Sequence, residues 1–75
     1  LNPRVRDNLL KMVIGMAINR YKYNPVPNKR SGAVAAIKSA LDECGVPLDE
    51  QTILNYLREG AELLPSEFVE NFRSR

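Results

Sequence analysis

Hydrophobic residues recur at helical spacing along most of this chain of 75 residues. Near its start, Asn2 can cap a helix whose first residue is Pro3, because the missing proline N–H would have no helical partner at that position. The apolar positions that follow lie three and four residues apart and are Val5, Leu9, Leu10, Val13, Ile14, Ala17 and Tyr21. This pattern predicts a first helix that buries one face against other elements.

A segment with two prolines, residues 23–28, interrupts the helical pattern. Each proline removes an N–H donor and pushes the residue before it towards extended geometry, so we predict a loop. Ser31 can then cap a second helix, and Gly45 is expected to end that helix in the left-handed conformation. The apolar stripe of the second helix, which we expect to be buried, consists of Val34, Ile37, Leu41 and Cys44.

Asp49 marks the clearest helix start in the sequence. Leu48 before it and Ile53 four residues after it have the spacing of a hydrophobic staple, in which two apolar side chains pack across the start of a helix. Pro65 must end this third helix, and Gly60 could end it earlier.

A short C-terminal helix is predicted from Ser66, where it can bury Phe68, Val69 and Phe72. No segment alternates between apolar and polar residues for long enough to indicate a strand. The sequence therefore predicts an all-α fold, a small bundle of three principal helices plus a short C-terminal helix, in one domain over residues 1–75. Because the chain starts with Leu1 rather than Met, we expect it to be a fragment of a longer protein.

Charge is divided between the two halves of the chain. Residues 1–38 contain eight Lys or Arg and a single acid, whereas residues 42–75 contain three Arg and eight acids, which gives net charges of +7 and −5. A basic half of this kind can lie against nucleic acid, an anionic membrane or an acidic protein.

The composition argues against several kinds of chemistry. His is absent and Cys44 is the single cysteine, so neither an internal disulfide nor a Cys/His zinc site is expected. The carboxylates fall on polar helix faces and caps, which makes an enzyme the remote alternative. The longest apolar run, residues 12–18, is too short to span a bilayer. We therefore expect a non-enzymatic, cytoplasmic protein without metal or cofactor that does not bind a membrane.

The segment over residues 45–58 combines a turn glycine, an apolar residue, a capping residue and then Thr-Ile followed by a leucine. With the preceding helix, it resembles the helix-turn-helix of transposase and bacterial transcriptional regulator DNA-binding domains. The resemblance covers about 30 residues, 31–58, and implies a helix-turn-helix-like core whose third helix enters the major groove of DNA. The positions that match the motif are the turn glycine Gly45, the buried anchors Leu48 and Ile53, and the phosphate or base contact Thr52.

Gln51, Asn55 and Arg58 lie at i, i+4 and i+7, on one face of the third helix. Gln or Asn can form paired hydrogen bonds with adenine and Arg can do so with guanine, so we predict that these three residues read bases. The alternative is that they form the solvated face that any surface helix has. Asp49 and Glu50 stand where the resembling family usually has serine or a neutral residue, and we attribute both acids to capping and the helix dipole.

Phosphate contacts are predicted ahead of the second helix. Lys29 and Arg30 precede the helix start at Ser31, where positive charge and unbonded backbone N–H groups favour an anion. Lys22 is a further candidate, within residues 20–23, because cations and tyrosines alternate there and the rings could stack on bases. The alternative packs the first of these tyrosines in the core and leaves the cations solvated.

These observations favour a DNA-binding module whose partner is duplex DNA. The alternative is a protein interaction or oligomerisation domain, in which the basic half of one copy faces the acidic half of a second copy, as in a homodimer, or of another protein. Its contact would be formed by the surplus apolar residues of the first helix, Leu10, Met12, Met16 and Ile18. Burial or exposure of Met12, Met16 and Ile18 within the monomer separates the two functions.

Overall fold

A computed structural model describes residues 2–26 and 32–74 of the chain. These residues form four helices and no strand; the helices are α1 (Pro3–Tyr21), α2 (Ala33–Glu43), α3 (Glu50–Ala61) and α4 (Ser66–Arg73). The predicted all-α architecture of three principal helices and a short C-terminal helix is confirmed. Within the described ranges, no helix has both the length and the apolar character needed to cross a membrane.

α1 starts as its sequence predicts and ends in a tight turn. The side chain of Asn2 accepts a hydrogen bond from the Arg4 backbone N–H at 2.8 Å. Lys22 ends the helix in the left-handed conformation, with a φ of 61°. The chain then turns back, and the Tyr23 backbone N–H donates to the carbonyl of Ala17 at 3.0 Å. This turn brings the Tyr23 side chain into the core.

α2 begins at Ala33, with Gly32 at the N-cap position and no hydrogen bond from a capping side chain. The predicted cap, Ser31, and the predicted phosphate contacts Lys29 and Arg30 lie outside the described residues. The helix therefore starts within about two residues of the predicted position.

α2 ends in the left-handed turn predicted for Gly45, whose φ is 78°. The Gly45 N–H donates to the Asp42 carbonyl at 3.1 Å and the Val46 N–H donates to the Leu41 carbonyl at 3.0 Å, which are the two bonds of a Schellman motif. The prediction that Cys44 lies in the core is wrong, since its side chain is exposed. Cys44 is the C-cap residue, and the stripe of α2 that packs on the core ends earlier, at Leu41.

The core lies between α1, α2 and α3, each of which packs against the other two. At its centre is Leu57, which has 0 % of its surface exposed. The buried residues around it come from all three helices and the α1–α2 loop and are Ile14, Ala17, Tyr23, Ala33 and Ile53. Over the described residues, α4 makes no helix–helix contact with this bundle. The fold is therefore a three-helix bundle followed by a helix that stands apart from it.

Gly60 does not end α3, which corrects one of the boundaries considered from the sequence. The helix continues to Ala61, and Gly60 lies where α3 crosses α1. A methyl group at Gly60 would lie 2.9 Å from Ile14 Cβ and 3.1 Å from the Leu10 carbonyl oxygen. Neither atom is the end of a flexible side chain, so the missing side chain of Gly60 is what lets the two helices approach.

The apolar stripe predicted for α1 is divided between two faces. The buried members are Leu10, Ile14 and Ala17. The prediction that the whole stripe is buried is wrong, because Val5, Leu9 and Val13 are exposed. Successive helical residues are 100° apart, so Leu9 and Ile14 point in directions that differ by about 140°. The bundle covers only one of these two directions, since α4 does not pack over the other.

Asp49 caps α3, as predicted. Its Oδ2 accepts the backbone N–H of Thr52 at 3.1 Å, and its Oδ1 accepts the Thr52 hydroxyl at 2.6 Å. These bonds, of which that from the hydroxyl has the larger effect, hold the pKa of Asp49 below its ordinary value.

Asp49→Ala is expected to lower the melting temperature at neutral pH, because α3 loses its cap. The folded-state pKa of Asp49 is below the unfolded-state value of about 4, so its stabilising effect is complete above that value and is lost as the pH falls through the folded-state pKa. Thermal unfolding of wild type and variant, followed by circular dichroism at neutral and acidic pH, should therefore show the two melting temperatures converging in acid. The control Asp49→Asn keeps an acceptor oxygen and should retain most of the stability at neutral pH. If the melting temperature of wild type exceeded that of Asp49→Ala by the same amount at neutral and acidic pH, the ionised Asp49 side chain would not be the cap that stabilises α3.

Candidate nucleic-acid interface

The face of α3 that points away from the core carries the three predicted base-reading residues. Gln51, Asn55 and Arg58 are exposed, whereas Ile53 and Leu57 on the opposite side are buried. Residues at i, i+4 and i+7 share a helix face, and here that face is open to solvent. The three side chains are thus in one accessible row.

Gln51 and Asn55 are joined within this row. Nε2 of Gln51 donates to Oδ1 of Asn55 at 2.9 Å, in an exposed position. The bond uses one of the two hydrogens on Nε2, so Gln51 keeps one N–H donor and its Oε1 acceptor for a ligand. A donor and an acceptor side by side are what the major-groove edge of adenine requires. Asn55 keeps both hydrogens of Nδ2 and one lone pair of Oδ1, so each of the two amides retains a donor and an acceptor for a ligand.

The start of α2 flanks this row on one side. Val34 and Ala35 share a shallow depression with Glu50, Gln51 and Leu54. The first turn of α2 therefore lies beside the first turns of α3. This arrangement puts the helix start for which phosphate contacts are predicted next to the start of the predicted base-reading row.

Arg6 of α1 flanks the row on the other side. A second shallow depression is lined by Arg6, Thr52, Asn55, Tyr56, Arg58 and Glu59. Nη2 of Arg6 donates to Oε2 of Glu59 at 2.7 Å, and both side chains are about half exposed. The hydrogen bond with Glu59, and then its charge, raise the pKa of Arg6 above its ordinary value. Arg6 could not be assigned to this site from the sequence, because its partner is 53 positions away and no local spacing connects the two.

The tyrosines near Lys22 are not available to stack on bases. Tyr23 is buried, and Tyr21 is half buried against the core, so the alternative in which Tyr21 packs inward is correct. Burial also raises the pKa of Tyr23. Lys22 itself is exposed at the end of α1 and remains a candidate phosphate contact.

Acidic residues surround the candidate row. Residues 49–62 contain four acids and one Arg, a net charge of −3. Glu59 is paired with Arg6, and Asp49 is occupied in capping. The Thr52 hydroxyl already donates its hydrogen to Asp49, so we remove Thr52 from the predicted DNA contacts. Attraction to a polyanion must therefore come from α1 and the α1–α2 loop rather than from α3.

An apolar groove of about 530 Å³ lies between α1, α2 and α3, next to the candidate row. We call it the apolar groove. The residues that line it include Leu9, Val13, Met16, Leu41, Leu48 and Tyr56. The prediction that Leu48 is a buried anchor is wrong, because the side chain is 42 % exposed, whereas Ile53 is buried as predicted. Leu48 stands at the edge of the groove, where no helix covers it.

The residues chosen to separate DNA binding from protein interaction are not all in the core. Met12 and Met16 are 61 % and 55 % exposed, and Ile18 is half buried against the core. Two large apolar side chains of α1 are thus directed into solvent. This exposure favours the interaction function, although it leaves the polar row of α3 intact.

Comparison of the chain with protein-family models, curated proteins and solved structures finds no match. Among residues 2–26 and 32–74, no three His, Cys, Asp or Glu side chains are grouped in a way that could hold a metal ion. The function is therefore argued from the surfaces of this chain alone.

Proposed function

We propose that this chain binds duplex DNA, with the outer face of α3 in the major groove and cations on both sides of it at the phosphates. The observation that supports this most strongly is the row of Gln51, Asn55 and Arg58, open to solvent between the start of α2 and Arg6. A base-reading helix needs an exposed polar face with phosphate contacts beside it, because phosphate contacts fix its position while base contacts give specificity.

Each residue has a distinct role in this proposal. Gln51 reads adenine with its remaining N–H and Oε1 while Asn55 holds its amide in place. Arg58 reads guanine through its guanidinium. Lys29 and Arg30, ahead of α2, neutralise phosphates, and Arg6, whose charge is offset by Glu59, contacts a phosphate through its remaining N–H donors.

The charge distribution agrees with this division of roles. α3 is acidic, so the helix alone would be repelled by DNA, and the attraction comes from the net +7 of residues 1–38. Binding should therefore weaken strongly as salt rises, because each neutralised phosphate releases counterions.

Arg58→Ala and Gln51→Ala are expected to cost about 1–3 kcal/mol of binding free energy on the preferred site and much less on random DNA, because the lost bonds carry sequence information. Fluorescence anisotropy with a site selected from a random duplex library and with a scrambled duplex measures both costs. Glu62→Gln is the matched control: it changes a side chain of the same stretch that has no proposed base contact, and the preferred sequence should remain the same. Equal losses on both duplexes would show that the row does not read bases.

Lys29→Ala and Arg30→Ala are expected to behave differently from the row variants. Each should weaken binding about equally on all sequences and reduce the slope of log K against log salt by about one, because one phosphate contact is lost. The order of preference among sequences should survive. Loss of that preference with an unchanged salt slope would assign these two residues to bases instead.

A second function, protein–protein interaction, is favoured by a separate observation. Met12 and Met16 are largely exposed, and the apolar groove has no covering element within the described residues. Contiguous apolar surface on a small domain is typical of interaction sites. Salt-sensitive DNA binding that survives Met16→Glu would support the first function; absence of DNA binding together with self-association that Met16→Glu abolishes would support the second alone.

A further inference from the structure

We propose that the apolar groove binds helix α4 of a second copy of this chain, in a reciprocal pair. This proposal develops the interaction function given above and does not depend on DNA binding. It requires a groove that can take a helix, a helix that can fill it, and a reason why the two attract each other.

The groove is lined by apolar side chains that the monomer leaves in contact with water. Leu9 of α1 is 48 % exposed, and Leu48 and Tyr56, which also line the groove, have similar exposure. Arg6 is the charged residue at its edge. Such a channel between helices is the type of site that accepts the apolar face of an amphipathic helix.

α4 has the apolar face that such a groove accepts. Phe68 and Phe72 are four residues apart, on one side of the helix, and their ring centroids are 5.2 Å from each other. Phe68 is 38 % exposed, whereas Phe72 and the neighbouring Val69 are half buried within their own copy. Anchors at i and i+4 are typical of helices that bind in grooves. The helix as a whole makes no helix–helix contact with α1, α2 or α3, and none of its residues lines the groove of its own copy.

Charge selects α4 over the other element that could cover the groove, α1 of a second copy. α1 carries four cations and one acid, so two α1 helices would repel each other. Residues 62–73 carry three acids, Glu62, Glu67 and Glu70, and one Arg, so this segment is attracted to α1. The acidic end of each copy therefore complements the basic helix of the other.

In a reciprocal pair, the groove and the α4 helix of both copies are covered at the same time. Each copy offers one groove and one α4, so a two-fold arrangement fills two grooves and forms two identical contacts. The closed arrangement doubles the area buried relative to a single helix in a groove, which a stable dimer of a small domain needs.

The test is the mass of the intact chain in solution, measured by sedimentation equilibrium over a range of concentrations. Wild type should be a dimer, and Met16→Glu in the groove or Phe68→Glu in α4 should raise the dissociation constant at least about 100-fold, since each places a charge in an apolar contact. Met12→Glu is the matched control, because it puts the same charge on the same helix outside the groove, and it should leave the dimer intact. Circular dichroism on each variant establishes that it remains helical.

A mixing experiment makes the test specific for reciprocal exchange. Met16→Glu keeps an intact α4 and Phe68→Glu keeps an intact groove, so the mixture should associate through one unmodified contact, more weakly than wild type but more tightly than either variant alone. Arg58→Ala, which changes the proposed DNA interface alone, should not alter the mass. The proposal is overturned if wild type is monomeric up to millimolar concentration, if Met12→Glu dissociates the dimer as well as Met16→Glu does, or if the mixed variants associate no more tightly than each variant alone.

Discussion

Leu57→Ala is expected to lower the free energy of unfolding by about 2–5 kcal/mol, the usual range for emptying a fully buried leucine site. Leu57 has no exposed surface and lies where α1, α2 and α3 meet. Such a loss is a large part of the stability of a small domain, so the variant should be partly unfolded at moderate temperature. Urea denaturation followed by circular dichroism measures the change.

Leu54→Ala is the matched control for this prediction. Leu54 is on the same helix but is only half buried, beside the start of α2. The same substitution should therefore cost only about 1 kcal/mol, in proportion to the smaller apolar area removed from the interior. Equal costs at the two positions would mean that Leu57 is not at the centre of the core.

Alanine substitution of two helical glycines is expected to have opposite effects on stability. Gly60→Ala should destabilise, because the new methyl group would lie 2.9 Å from Ile14 Cβ at the α1–α3 crossing. Overpacking of this kind costs about 1–3 kcal/mol, which exceeds the gain in helix propensity of up to about 1 kcal/mol. Gly15→Ala should stabilise by about that propensity gain, since nothing lies within 4 Å of a methyl group there.

The two glycine variants are therefore expected to differ by about 1–3 kcal/mol, the overpacking cost, because the gain in helix propensity is common to both. In a domain of this size, each kcal/mol of that difference corresponds to about 4–8 °C in melting temperature. Thermal unfolding at neutral pH measures both. If Gly60→Ala were as stable as Gly15→Ala, the helices would cross elsewhere.

Local signals in the sequence were sufficient to predict most of the helix boundaries. Asn2, Gly45 and Asp49 act through hydrogen bonds to residues within four positions, so their roles follow from spacing alone. Three apolar stripes without a strand pattern were then enough to predict a small helical bundle.

Features that depend on how the helices pack together could not be predicted in this way. The sequence around Gly60 is the same whether the glycine ends a helix or lies where two helices cross. Only the position of Ile14 in the folded chain shows that Gly60 lies at a helix crossing. Leu9 and Leu48 are as apolar as buried leucines, and their exposure follows from the lack of a helix over the groove. Cys44 follows the helical spacing of the stripe but falls beyond the last turn that meets the core.

The candidate interface also has one part that follows from local spacing and one part that depends on helix packing. The row on α3 was predicted from i, i+4 and i+7 spacing, because these positions share a face of any helix. The residues that flank this row could not be predicted, because the proximity of Arg6 to Asn55 and of Val34 to Gln51 arises from the packing of three helices. The i, i+4 spacing of Gln51 and Asn55 allows a hydrogen bond between their side chains. Which of the two amides donates depends on the side-chain conformations and could not be predicted.

Binding of the intact chain to random duplex DNA over a series of salt concentrations tests the central claim most directly. The candidate phosphate contacts Lys22, Lys29 and Arg30, with the charge of Arg6 offset by its ion pair with Glu59, predict that log K falls linearly with log salt with a slope of about −3. Fluorescence anisotropy of a labelled duplex gives this slope on any DNA sequence, because phosphate contacts do not depend on the bases. A linear fall with that slope is the result that DNA binding predicts; no binding at low salt, or an affinity that salt does not change, would contradict it.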